Sequence, residues 1–316
     1  MTHPPIRFDS AVRLIINPAS GRGRAARLRH TVADALVRKG FTVTEHVTLD
    51  LADAAEAART APPGTLVASL GGDGLLGAVA AGVSDSSAVL LPLGGGRGND
   101  TLRRLGLMVD PIRSIREIDA LRIASVDLGR VNGVPFLGVA NVGFDGRAAE
   151  IANATRFNLG PMTYLYGGAR ALMTWRDVSF AVTVDDQRRS FTGWFVAVGN
   201  VGQYGGGLRI TPNALADDGQ MDVVTLGSAG AGAAVSTFLK AFAGVHLGHR
   251  AITEVRGQRI TIDADVPLNI YADGELIGPL PATIETSPAA VKVLVPMASP
   301  ALGSVPLPAA DTVGGI

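Results

Sequence analysis

Glycine, asparagine and aspartate gather at a few points of this 316-residue chain, and those points carry its chemistry. In Leu70-Gly71-Gly72-Asp73-Gly74-Leu75 an apolar run, Leu66 to Leu70, stops at three glycines and an aspartate, just before a helical pattern starting at Leu75. A glycine turn between a buried strand and a helix N-terminus exposes unpaired N–H groups at the positive end of the helix dipole. Such a place suits an anion, most often phosphate. A plain strand-to-helix turn with Asp73 as N-cap fits the same residues. Gly94-Gly95-Gly96-Arg97-Gly98-Asn99-Asp100 ends a second run, Ala88 to Leu93, with more glycine and polarity than a simple connection needs. Asn17-Pro18-Ala19-Ser20-Gly21 ends a third, where the Asn amide and the backbone could hold a nucleotide or only make a turn. Late in the chain, Ile270-Tyr271-Ala272-Asp273-Gly274-Glu275 reads either as a hairpin turn or as a carboxylate at a domain mouth, able to take a proton from a hydroxyl nucleophile.

These groups need elements to hold them. Val12 to Asn17, Phe41 to Val47, Leu66 to Leu70 and Ala88 to Leu93 are predicted strands. Between them lie helical patterns around Leu28, Val32 and Leu36, at Leu51 to Arg59, and at Leu75 to Ala81. Repeated strand, glycine loop and helix predict a doubly wound parallel sheet, in which ligands bind beyond the carboxyl ends of the strands. Arg24, Arg27 and Arg29 in the first turn of a helix oppose its dipole, a conflict that an anion near Gly21 to Arg24 would resolve. After about Asp127 the pattern turns to closely spaced strands. Val126 to Val131 and Val134 to Val142 flank Asn132-Gly133, and Ser179 to Val184 and Phe191 to Val198 flank Asp185-Asp186-Gln187. Arg259 to Asp263, Leu268 to Ala272, Thr283 to Thr286 and Val291 to Val295 are further short strands. Helices are expected at Ala148 to Ala154, Met162 to Trp175 and Val235 to Phe242. The expected fold is an N-terminal α/β domain, residues 1–127, and a C-terminal all-β sandwich, residues 128–297, with a cleft between them. The tail, 298–316, is poorly ordered unless it packs back on the first domain.

Bulk properties narrow the function classes. Length favours two domains, and a hydrophobic content of 47% allows sizeable cores. Twenty-eight basic and 28 acidic residues give a formal net charge of +0, so bulk charge makes no case for nucleic acid. The absence of cysteine removes disulfides and thiolate metal sites and is compatible with a cytoplasmic enzyme. No signal-peptide pattern follows Met1, and no run approaches the roughly 20 apolar residues of a membrane span. Any membrane contact is therefore peripheral and local. A candidate lipid-facing lip is Phe157 to Tyr166, with Leu159, Met162, Tyr164 and Leu165, where core packing is the alternative.

In order, Asn17-Pro18-Ala19-Ser20-Gly21, Gly71-Gly72-Asp73-Gly74, Gly98-Asn99-Asp100, Val126-Asp127-Leu128-Gly129, Val142-Gly143-Phe144-Asp145, the segment from Gly205-Gly206-Gly207 through Asp217-Asp218-Gly219 to Met221-Asp222, and Asp273-Gly274-Glu275 make one combination. It resembles the diacylglycerol kinase catalytic-domain family, which includes bacterial lipid kinases and the sphingosine and ceramide kinases. The likeness runs from about Val12 to Pro296. It implies an ATP-dependent lipid kinase with its nucleotide cleft between an α/β domain and a β-sandwich. The resemblance makes Asp273 the general base toward a lipid hydroxyl such as that of diacylglycerol. Asn17, Ser20, Gly21, Gly71, Gly72, Asp73, Gly74, Gly98, Asn99, Asp100, Gly274 and Glu275 would line the nucleotide site. Asp73, Asp100 and, through water, Asp127 and Glu275 would organise a catalytic Mg²⁺. A structural Mg²⁺ is implied on the loop Leu215 to Gln220, with Asp218 as side-chain ligand and the Leu215 and Gln220 carbonyls beside it. Arg22, Arg24 and Arg97 are candidates for neutralising phosphate. The implied partner is a lipid at a membrane surface, with homodimerisation left open.

Two departures stand out. Leu75 occupies the place where the family usually has a threonine able to bond phosphate, a loss of about 0.5–1.5 kcal/mol. The loop from Pro92 to Asp100 is also longer than usual. NAD kinase, whose family shares the Gly-Gly-Asp-Gly loop, is the alternative enzyme. A nucleotide- or lipid-binding regulator with little turnover is the alternative outside catalysis.

Overall fold

The computed structural model describes residues 11–144 and 176–303. The helices expected at 148–154 and 162–175, the lip at 157–166 and the end of the tail lie outside the described residues. The first half alternates strand and helix: β1 (Ala11–Ile16), α1 (Ser20–Arg38), β2 (Thr42–Val47), α2 (Leu51–Arg59), β3 (Leu66–Gly71), α3 (Asp73–Ser84), β4 (Val89–Gly94), α4 (Asp100–Arg104) and α5 (Pro111–Arg116). Strands β2, β1, β3 and β4 pair in that order, all parallel. Strands β3 and β4 are buried along their whole length, as their unbroken apolar runs require. On one face the Ala-rich surface of α2 and the Val79, Ala80 and Val83 side of α3 enter the core. On the other face, Val32 and Leu36 of α1 pack with Ile115 of α5. Asp50 caps α2 through the Asp53 amide, and Asp110 caps α5 just before Pro111. The chain order reverses between β1 and β3, so a crevice opens beyond their carboxyl ends, where two of the glycine loops emerge.

The second half is β-rich and sandwich-like: β5 (Leu121–Val131), β6 (Val134–Phe136), β7 (Val139–Gly143), β8 (Val178–Val184), β9 (Gln187–Gly199), β10 (Met221–Gly227), α6 (Ala231–Ala243), β11 (Ile252–Gly257), β12 (Arg259–Ala264), β13 (Asn269–Ala272), β14 (Glu275–Pro279) and β15 (Ala282–Pro296). Its core joins Phe136, Val142, Phe180, Val196, Ile260, Ile270 and Ile284.

Three differences from the sequence reading bear on the site. The single strand expected at Val134 to Val142 is broken into β6 and β7 at Leu137 and Gly138. The two strands expected at Thr283 to Thr286 and Val291 to Val295 are one element, β15, interrupted only by a bulge between Ser287 and Val291. Strand β15 pairs antiparallel with β12 in the second half and parallel with β4 in the first, making the two sheets continuous. Strand β5 runs antiparallel along most of β15, so the expected boundary after residue 127 falls inside a strand. The described start of the tail does pack back. Ala301 is fully buried, its carbonyl accepts the Ala216 amide, and Pro300 lies against Gly106. Among the described residues, no helix is long and apolar enough to cross a membrane.

Candidate active site

The three glycine loops meet on one rim. A Cβ on Gly21 would lie 2.4 Å from the Gly95 carbonyl oxygen, and one on Gly96 would lie 2.5 Å from Gly72 Cα. The Gly95 and Gly96 amides both donate to the Gly71 carbonyl, at 2.8 Å. The glycines thus let three backbones touch, with no side chain between them. Asn99 closes its own loop: its Oδ1 accepts the Gly96 amide at 3.0 Å and its Nδ2 donates to the Gly96 carbonyl at 3.1 Å. Asn17 Oδ1 accepts the Ala19 amide in a local turn. Gly21, Arg22 and Gly23 follow at φ 61°, 56° and 79°, so the chain enters α1 through three left-handed residues. Among the loops lies a cavity of about 10 Å³, lined by Ser69, Gly71, Asp73 and Asn99 among others. It has room for about one water.

Asp73 does not cap its own helix. The N-cap of α3 is Gly72, and the Asp73 carboxylate instead accepts the amides of Asp100 and Thr101, at 3.2 and 2.9 Å, the first two residues of α4. Burial pushes its pKa up, and the nearby Asp100 charge acts in the same direction against those amides. Asp100 reaches across to the second half. Its Oδ1 accepts from Gln203 Nε2 at 3.2 Å and its Oδ2 from the Gly206 amide at 2.6 Å. A Cβ on Gly98 would lie 2.9 Å from Asp100 Oδ2 and 3.5 Å from Asp73 Oδ2, so the two carboxylates flank one glycine.

Asp273 and Gly274, at φ 49° and 88°, form the turn between β13 and β14, so the hairpin reading holds. The same aspartate also reaches the chain between β6 and β7. Its Oδ2 accepts the Leu137 amide at 2.8 Å, and its Oδ1 accepts those of Gly138 and Val139 at 2.9 and 3.1 Å. These are the amides released where β6 and β7 part. A Cβ on Gly138 would lie 2.5 Å from Asp273 Oδ1 and 3.2 Å from Thr101 Oγ1, and Gly77 of α3 backs Oδ2. Burial pushes the Asp273 pKa up to about 7. The Asp73 charge adds to that rise, and the three amides oppose it. Glu275 stands over α3, its Oε1 3.4 Å from where a Gly74 Cβ would be.

The structure therefore brings Asp73, Gly74, Gly98, Asp100, Asp273 and Glu275 together, beside a rim of Gly21, Gly71, Gly72, Gly95 and Gly96. Asp127 is held elsewhere. Its carboxylate accepts the Gly219 and Ala289 amides, each at 2.7 Å, joining the loop 215–220 to the β15 bulge. On that loop Asp218 Oδ1 accepts the Gln220 amide, and Oδ2 lies 3.7 Å from Arg256 Nη1. Arg256 also pairs with the fully buried Asp222, whose Oδ2 has no hydrogen-bond partner among the described residues and whose pKa burial pushes up to about 6. Leu75 is 2% exposed and packs against Gly71 inside the apolar core, so this side chain faces the core where the sequence comparison had placed a phosphate contact.

Sequence reasoning missed Thr101, Gln203, Asn200 and Arg104. Asn200 Nδ2 ties the Asp127 and Leu137 carbonyls together, and Arg104 donates to the carbonyls of Val201, Pro212, Ala214 and Pro300. A usable signal existed only for Gln203, which lies two residues before the glycine run 205–207.

Comparison with known proteins matches residues 11–131 to the diacylglycerol kinase catalytic domain and residues 138–295 to the YegS C-terminal NAD kinase beta sandwich-like domain. A diacylglycerol kinase of Mycobacterium tuberculosis (strain ATCC 25618 / H37Rv) is 33% identical over 303 residues, covering 90% of this chain and 95% of that protein. One from Bacillus subtilis (strain 168) is 25% identical, covering 85% and 91%. A crystal structure of a diacylglycerol kinase from Bacillus anthracis superposes with a TM-score of 0.69 at 24% identity, covering 92% of this chain and 97% of that one.

Proposed function

We propose that this chain, which belongs to the diacylglycerol kinase catalytic-domain family and is a phosphotransferase with an alcohol acceptor, moves the γ-phosphate of ATP to a lipid hydroxyl, in the first instance that of diacylglycerol. The observation that carries the reading is the Asp273 carboxylate, fixed by three amides and close enough to Asp73 to feel its charge. Two of its oxygen lone pairs take the Gly138 and Val139 amides on Oδ1, and the Leu137 amide takes one on Oδ2. The remaining Oδ2 lone pair accepts the hydroxyl proton as the alkoxide oxygen bonds to phosphorus and ADP leaves. A pKa near neutrality suits that task.

Asn17, Ser20, Gly21, Gly71, Gly72, Gly74, Gly98, Asn99 and Gly274 form the backbone rim for the nucleotide, with Arg22, Arg24 and Arg97 near its phosphates. Mg²⁺ is held by one or two carboxylates together with substrate phosphates, seldom by an all-protein cage. Two facing carboxylates, Asp73 and Asp100, with Glu275 nearby, fit that pattern. When bound, the ion neutralises phosphate charge. The loop 215–220 offers hard oxygens at Leu215, Asp218 and Gln220 next to the unpartnered Asp222 oxygen, supporting a second, structural Mg²⁺ there. Asp127 acts in this reading on that loop, one step from the cleft. We place the enzyme in the cytoplasm, meeting its lipid at the membrane surface.

Incubation with γ-labelled ATP, Mg²⁺ and a lipid panel in mixed micelles tests the proposal. Labelled phosphatidic acid is the expected product. Absence of labelled lipid while ATP binds would overturn it, and labelled product from NAD would make the chain a NAD kinase instead.

A further inference from the structure

Helix α6 carries two apolar stripes, and among the described residues only one is packed into a core. Ala234, Phe238 and Ala241 face inward, with Phe238 against Phe144 and Phe195 at ring distances of 5.4 and 5.6 Å. One residue along each time, Val235, Leu239 and Phe242 form a second stripe at helical spacing, 40, 67 and 52% exposed. Val245, just past the helix, is 64% exposed and extends it. Scattered exposed apolar residues are ordinary, but a contiguous run marks an interaction surface.

The charge around this stripe is one-signed. From Val223 to Thr253 the sequence has no aspartate or glutamate, while Lys240 and Arg250 are exposed. Arg209 joins them from the neighbouring loop, its side chain beside Gly244 and its amide on the Ala241 carbonyl. The acids at either end, Asp222 and Glu254, are engaged by Arg256 and Asn213, and Asp177 is engaged by Ser228. The stripe also leads to the cleft. A Cβ on Gly207 would lie 4.0 Å from Phe242, and the next residue back, Gly206, donates to Asp100.

We propose that this outer face of α6, with Val245, Lys240, Arg209 and Arg250, is the surface by which the protein lies on an anionic lipid bilayer. The inference rests on the lipid-kinase reading for its substrate and names the face that meets it. An apolar stripe about 15 Å long enters the headgroup boundary, and the flanking cations meet lipid phosphates. Docked in this way, the 203–207 loop holding Asp100 lies next to the membrane, and a lipid hydroxyl reaches Asp273 without leaving the interface.

The test compares the wild type with Leu239→Asp/Val245→Asp and with Lys240→Ala. Each is sedimented with vesicles of phosphatidylcholine alone or mixed with phosphatidylglycerol, then assayed on vesicle-borne diacylglycerol and on water-soluble dioctanoylglycerol. The double variant should lose at least about ten-fold in binding to mixed vesicles and in turnover of the vesicle substrate, with unchanged turnover of the soluble one. Lys240→Ala should lose about five-fold, on mixed vesicles only. Unchanged vesicle binding in the double variant overturns the proposal. If that variant also changes oligomeric mass, the stripe is an interface between copies of the chain, and if its Tm falls at constant mass, another part of the chain covers the stripe. A wild type that turns over neither substrate but still binds vesicles through α6 defeats the kinase reading and leaves the docking surface standing.

Discussion

The two sides of the cleft are built differently. On the N-terminal side, loops hold each other backbone to backbone, through Gly95 and Gly96 on the Gly71 carbonyl and Gly21 against Gly95. Along the seam with the C-terminal side, carboxylates do the holding, Asp273 on three amides and Asp100, reaching over from α4, on Gly206 and Gln203. The first side is a neutral cradle that an anion can enter. The second concentrates negative charge and opens toward it only where a lone pair is left over. A phosphoryl-transfer site needs both, one to receive phosphate and one to receive a proton or a cation.

Removing the charged side should cost most. Asp273→Asn is expected to lower kcat by about 10²- to 10⁴-fold in the lipid-phosphorylation assay. In the wild type, kcat/KM should rise with pH through about 7 as Asp273 ionises. The same shift fixes a sign for stability. A carboxyl with a folded-state pKa raised above its unfolded value contributes stability that is complete below about pH 4 and is lost as pH rises through about 7. Melting curves of wild type and Asp273→Asn should therefore converge or cross in that window, and a wild-type kcat/KM flat across it would remove Asp273 as the base. Next in size, Gly138→Ala puts a methyl 2.5 Å from Asp273 Oδ1 with no change of charge. An expected loss of about 10²-fold in kcat, with nucleotide affinity kept, would separate the position of the base from its ionisation. The smallest catalytic effect belongs to the neutral side. Leu75→Thr buries a hydroxyl in the core and should cost about 2–3 kcal/mol in denaturant unfolding with little gain in ATP affinity. A clear gain in affinity would show that the side chain at this position reaches phosphate after all.

The same contrast explains what the sequence could reveal. The cradle is local: apolar run, glycines and helix follow one another within a dozen residues, so its strands, its loops and the parallel fold were readable. The carboxylate side is not. Asp273 lies more than 130 residues from the amides it holds, and the break between β6 and β7 that frees them is marked in the sequence only by Pro135 and Gly138 within an otherwise apolar stretch. Asp73 looked like a cap for its own helix because an aspartate beside a helix start usually is one, yet it caps a helix from another loop. Arg104, sharing four carbonyls across both halves, has no spacing that sets it apart from Arg103.

Strand β15 gives the molecule a mechanics. Two adjoining strands, β5 and β15, run without interruption of the chain from one half into the other, so the halves cannot slide apart as beads on a linker would. They can only twist or flex together, and a ribbon flexes most easily where its ladder is broken. That place is the bulge between Ser287 and Val291, where Ala289 sits at φ 51° and the facing residue on β5 is Asp127. By clasping the Ala289 and Gly219 amides at once, Asp127 fastens that joint to the loop 215–220.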